Sequence, residues 1–169
     1  RIQLTAGLLG QRMDNQLKQQ FTLRITQAGK TELCVILYEM FIVYCKDAIH
    51  CIEEDDVKSF RVNIQRARGC LKELMDSLHF EYEPAPTLLK LYIYISKLLV
   101  SADLHNTTAP LEEAVHIMQS LHDSFETISK QDTSGPVMGN TQTVYAGLTY
   151  GKTDLNVSLS DPDNRGFFA

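Results

Sequence analysis

The chain has 169 residues, of which 44% are hydrophobic and 22% charged, with a formal net charge of −5. That length suits one domain with a real core. The acidic balance, with no Lys/Arg cluster, argues against a nucleic-acid binder, which needs a basic surface to meet phosphate, and no apolar run reaches the ~20 residues that span a bilayer. Residues 1–29 read as an N-terminal arm or cap. Leu4, Leu8, Leu9 and Met13 suit a short amphipathic helix that Leu17 and Phe21 continue, weakened at its start by Gly7 and Gly10. Thr26 to Gly29 reads as a loop. No charged segment, apolar stretch and small-residue cleavage site opens the sequence, which begins at Arg1.

The stretch from Lys30 to Glu53 predicts the central helix. It carries two apolar seams at helical spacing. One is Cys34, Leu37, Phe41, Tyr44, Ala48 and Cys51; the other is Val35, Tyr38, Ile42, Cys45, Ile49 and Ile52. Glu39, Lys46, Asp47 and His50 leave a narrow polar edge. Such a helix is either buried on most of its circumference or shares its second seam with a partner. The acidic turn Glu54-Asp55-Asp56 then suits the start of a helix running to about His79, with the seam Phe60, Ile64, Ala67, Leu71, Leu74 and Leu78. Gly69 lies within it, where either a close backbone approach or mere drift would explain it.

Pro84 and Pro86 open the third long helix, with the seam Leu88, Leu91, Ile95, Leu98 and Ala102. Leu89, Tyr92, Ile93, Leu99 and Val100 widen its apolar face. Asn106 to Thr108 breaks it, with Thr108 as a candidate N-cap and Pro110 in the next first turn. The fourth helix carries Leu111, Ala114, Met118, Leu121, Phe125 and Ile128. Four long helices with short connections predict an all-α fold, an antiparallel up-down four-helix bundle over residues 30–131. Residues 132–169 form a C-terminal extension. Asp132 to Pro136 reads as a linker, and beyond it the apolar period becomes two. Val144, Ala146, Leu148 and Tyr150, then Leu155, Val157 and Leu159, flank a Gly151–Asp154 loop. Residues 143–159 therefore predict a β-hairpin docked on the bundle.

Catalytic chemistry is sparse. Cys34, Cys45, Cys51 and Cys70 sit in apolar helical patterns and read as buried, reduced thiols, which points to the cytoplasm. Glu113-Ala-Val-His116 is a single E-x-x-H, where a di-metal carboxylate bundle needs two. His122-Asp123-Ser124 does not form a triad, because neighbours on one helix point in different directions. No phosphate loop or nucleophile elbow is present. A metal-carboxylate bundle enzyme is the weaker class, and the chain is read as not an enzyme. A generic oligomeric bundle is the other alternative, with the second seam as a homo-oligomer interface.

Several stretches resemble a known family. Leu33-Cys34-Val35-Ile36-Leu37-Tyr38-Glu39 is similar to the Leu-Leu-x-x-Leu-Tyr-Asp signature of the flagellin export chaperone family, FliS. Glu39 stands where that family usually has Asp. Leu88-Leu89-Lys90-Leu91-Tyr92-Ile93-Tyr94 resembles its Asn-Leu-x-x-Leu-Tyr-x-Tyr stretch. Leu111 to Ala114 and Leu121 to Phe125 resemble its last helix, without the usual Trp. The resemblance covers residues 26–130. It implies a cytoplasmic helical-bundle chaperone that binds the disordered C-terminal segment of flagellin, blocks premature polymerisation and delivers it to a component of the flagellar export apparatus. No cofactor, metal, nucleic acid or membrane insertion is implied. An apolar client segment would suit a groove between helices. The offset seam then nominates Tyr38, Ile42, Cys45 and Ile49 as client-binding residues, with Tyr92 and Leu99 nearby.

Overall fold

The computed structural model describes residues 12–81 and 83–138. The described residues form five helices: α1 (Asn15–Gln27), α2 (Lys30–Glu53), α3 (Val57–Asp76), α4 (Pro84–His105) and α5 (Ala109–Ser129). The fold is all-α, as expected, with no strand among these residues. The hairpin expected at residues 143–159 lies outside them.

Local chemistry sets the boundaries. Asp14 caps α1, its carboxylate accepting from the Leu17 N–H at 2.7 Å. The helix then runs through Thr26 and Gln27, so the predicted loop shrinks to Ala28 and Gly29. Asp56 caps α3, accepting from the Ser59 N–H at 3.0 Å. Asp55 before it takes φ 60°, the left-handed region that Asp tolerates in a tight turn. The α3 helix ends at Asp76, short of His79. Asn106 closes α4 with φ 50° and ψ 49°, its N–H returning to the Ala102 carbonyl. Thr108 makes no side-chain cap bond, so the start of α5 relies on Pro110, whose fixed φ and missing N–H fit a first turn.

The helices pack around α2, whose largest contacts are with α3 and α5, while α4 lies against those same two helices. Contacts along their lengths give the directions. On α5, His122 meets Glu39 of α2, while Asp132 beyond its end meets Thr31 at the start of α2. On α3, Asn63 meets Cys51 and Arg66 lies over Tyr44. Both neighbours therefore run antiparallel to α2. Tyr38, Phe41, Ile42, Cys45, Phe60, Ile64, Ile95, Leu99, Leu111 and Met118 are among the fully buried core. Each large apolar side chain among them stabilises the fold by about 1.5–3 kcal/mol.

The segment after α5 is more than a linker. Thr31 Oγ1 donates to Asp132 Oδ2 at 2.5 Å, and Asp132 Oδ1 accepts from the Ser134 N–H at 2.9 Å. The Val137 N–H then donates to the Ala28 carbonyl at 3.0 Å. Residues 132–137 form a strap over the α1–α2 corner. It runs so close to Gly29 that a Cβ there would meet the Ser134 carbonyl oxygen at 3.1 Å.

Candidate functional site

The structure brings the six nominated residues toward one another, but as core. Tyr38, Ile42, Cys45, Tyr92 and Leu99 are buried and only Ile49 is half-buried. The hydroxyls of Tyr38 and Tyr92 share a hydrogen bond of 2.5 Å across the interior, and Tyr38 meets Phe125 edge-on at 5.3 Å between ring centroids. Burial raises both phenol pKa values, that of Tyr92 to about 12. Both seams of α2 are therefore mostly buried, with Cys34, Leu37, Ile49 and Ile52 half-buried at their ends. The physical reason is that α2 has neighbours on three sides.

Part of the polar edge of α2 is covered by α1: Glu39 is buried and Asp47 half-buried, while Lys46 stays exposed. Arg24 donates to both carboxylate oxygens of Glu39, the Met13 N–H donates to Asp47 Oδ2 at 2.9 Å, and Arg12 pairs with Glu54 at 3.1 Å. Helical periodicity puts Glu39 and Asp47 on a wet face. Instead they hold an antiparallel helix, with Leu17 and Phe21 buried beneath it.

Glu39 is fully buried and forms a hub. Besides Arg24 it contacts His122 Nε2 at 3.4 Å, and His122 Nδ1 lies 3.0 Å from Asp123 Oδ1. Burial alone would raise the Glu39 pKa, but hydrogen bonds from His122 and Arg24 hold it below its usual range. Burial would lower His122, yet Glu39 and Asp123 raise it. The expectation that His122 and Asp123 point apart is thus corrected, although Ser124 only donates back to the Ser120 carbonyl. The signal for this hub was a carboxylate between apolar residues, Tyr38 before it and Met40, Phe41 and Ile42 after it.

An open apolar surface does exist, on α4. Ile93, Val100 and Leu104 are 44%, 43% and 73% exposed. With Lys97 they recur in steps of four, three and four along one line of the helix. The opposite side of α4 buries Tyr92, Ile95, Leu99 and Ala102. Beside the stripe, the Tyr94 hydroxyl donates to Glu113 Oε1 at 2.5 Å, tying α4 to α5. Ile93 and Val100 were visible in the sequence as extra width on the third long helix, whereas Leu104 was not singled out.

The remaining chemistry is structural. Glu113 and His116 are exposed on α5. The four cysteines are free, three of them buried, and burial raises their thiol pKa values, that of Cys70 to about 12. Among the described residues no group of three or more His, Cys, Asp or Glu side chains could hold a metal ion, and no helix is long and apolar enough to cross a membrane.

The chain matches the family described as flagellar protein FliS over residues 13–132. It is also 26% identical over 102 residues to the flagellar secretion chaperone FliS of Bacillus subtilis (strain 168), an alignment that covers 60% of this chain and 77% of that protein. Matched from the residue that fastens α1 to Asp47 through to the aspartate that ties the end of α5 back to α2, this chain belongs to the FliS family of flagellar proteins.

Proposed function

We propose that the protein is a flagellar secretion chaperone that holds the disordered C-terminal segment of flagellin in the cytoplasm and passes it to the export apparatus. On this reading α2 to α5 are the chaperone's four-helix bundle and α1 is its N-terminal cap. The observation that carries the reading is the α4 line of Ile93, Val100 and Leu104, an apolar face left open on a member of a flagellar family. An amphipathic client helix would lay its own apolar face along that line. Tyr92 and Leu99 support the line from the buried side, and Tyr38, Ile42 and Cys45 form the rigid interior behind it. Ordering a flexible client on binding lowers the net affinity, which keeps release possible.

The test is calorimetric titration of the chain with a flagellin C-terminal segment. Val100→Asp and Leu104→Asp place a charge on an already wet face, so both variants fold. Their affinity falls at least about tenfold, because the charge loses its water in the complex. Ile42→Asp puts the charge in the core and unfolds the protein. Folded α4 variants with unchanged affinity would remove α4 from the site. A chain that binds no flagellin segment would overturn the chaperone reading itself.

A further inference from the structure

The open line of α4 has two unlike flanks. An α-helix turns by about 100° per residue, so Tyr94 stands beside Ile93 on one flank and Asp103 beside Leu104 on the other. Their partners fix the sides. The Tyr94 hydroxyl donates to Glu113 Oε1 of α5 at 2.5 Å, and Asp103 Oδ2 accepts from Arg68 of α3 at 3.2 Å. The α3 flank is therefore an ion pair. The α5 flank carries an aromatic ring that is 42% exposed, next to an exposed carboxylate.

A tyrosine on an open surface loses rotamer freedom when a partner packs on it. Tyr94 has given up that freedom before any partner arrives. Its backbone is fixed in α4 and its hydroxyl is tied to α5, and the two helices pack on each other. The hydrogen bond to Glu113 raises the phenol pKa, so the group stays a donor. A ring held at both ends offers apolar area at little entropic cost, which is why tyrosine is prominent among the residues that dominate interfaces.

We infer that the Tyr94 ring forms the α5-side bank of the client site, where an apolar side chain of the client helix packs between it and Ile93, and that Glu113 is a positioning residue that holds the ring there. This inference rests on the α4 reading of the client site.

The test is calorimetric titration with the flagellin C-terminal segment, with a thermal melt of each variant. Tyr94→Ala removes the bank and weakens binding about tenfold or more. Tyr94→Phe and Glu113→Ala keep the ring but free it, and each weakens binding about two- to tenfold. Combining those two is no worse than either alone, because both remove the same bond. Glu113→Gln keeps a carbonyl acceptor and restores most of the affinity. These substitutions lie on the exposed surface, so the melts stay close to that of the unaltered chain. Unchanged affinity in Tyr94→Ala, or additive losses in the double variant, overturns the inference. Arg68→Ala cuts the tie on the opposite flank, and an equal loss there would show that any loosening of α4 suffices, which overturns it too. A chain that binds no flagellin segment overturns the client reading and this inference with it. Binding that is lost in Val100→Asp but intact in Tyr94→Ala overturns this inference alone.

Discussion

A single side chain, Glu39, fastens three helices. Its carboxylate is fully buried and receives Arg24 from α1 and His122 from α5. A buried charge is tolerated only when paired, so α1 docks only in the register that delivers Arg24. Removing the carboxylate while leaving its partners is the costly direction. Glu39→Ala should therefore lower unfolding stability by about 3 kcal/mol, read by urea denaturation. The hub also sets a pH dependence. His122 is raised from its ordinary 6.5, so its contribution is complete below that pH and is lost as pH rises through the folded value. Glu39 is lowered from its ordinary 4.5, so its contribution is complete above that pH and is lost as pH falls. Asp123, lowered chiefly by its hydrogen bond with His122, adds to the acid side. Stability should peak between those two values. His122→Gln should flatten the alkaline slope and retain part of the acid one. An unchanged alkaline slope would show that His122 does not titrate with folding. Sequence periodicity could not reveal this hub, because it ranks Glu39 as polar and hence wet. Only the arrival of Arg24 and His122 from distant parts of the chain makes its burial tolerable.

At the scale of the helix, start and stop residues were legible and neighbours were not. The α2 bounds fall at the expected Lys30 and Glu53, because Ala28-Gly29 and the acidic turn interrupt the helix through local chemistry. The doubled seam of α2 left two readings, burial on most of its circumference or a second seam shared with a partner; its residues are mostly buried, and an exposed apolar line lies on α4. Apolar width records how much of a helix avoids water, while the number of neighbours decides which part succeeds. With α1, α3 and α5 around it, α2 is mostly buried; α4 has chiefly α3 and α5 and keeps a bare line. Two glycines show the same contrast with opposite signs. A Cβ added at Gly69 would have nothing within 4 Å, so no close backbone approach explains this glycine. Gly69→Ala should stabilise α3 by about 0.5–1 kcal/mol through helix propensity alone. Gly29 has an ordinary extended backbone, φ −72° and ψ 173°, so alanine is not strained there by conformation. Its Cβ would instead press on the backbone of the 132–137 strap. Gly29→Ala should destabilise by about 1 kcal/mol or more and speed amide exchange at Val137, whose N–H is held by Ala28. Thermal melts of the two variants shifting in the same direction would refute this contrast.

For the whole molecule, the hierarchy of contacts implies a hierarchy of opening. The α2 helix buries eleven of its 24 residues and lies at the centre of the packing. By contrast, α1 buries Leu17 and Phe21, with Met13 just before it, and otherwise depends on polar ties to Glu39, Asp47 and Glu54. The outermost of these, Arg12 to Glu54, is a surface pair worth at most about 1 kcal/mol. The sequence indicated a peripheral arm in this region, since its apolar residues are few and Gln-rich stretches separate them. It could not show that the arm lies antiparallel along the polar edge of α2, because each tie joins residues far apart in the chain. An element with so few buried anchors opens at a lower free energy than the core it covers. Native-state amide exchange should therefore show the α1 amides opening well before those of α2 and α3. Glu39→Ala should widen that gap, because it removes the buried tie at the α1 end while leaving the apolar contacts of α2 with α3 in place. If α1 and α2 exchange with the same opening free energy in both proteins, α1 is an integral part of the cooperative core. The Glu39 hub then acts on the fold as a whole and does not hold one helix against it.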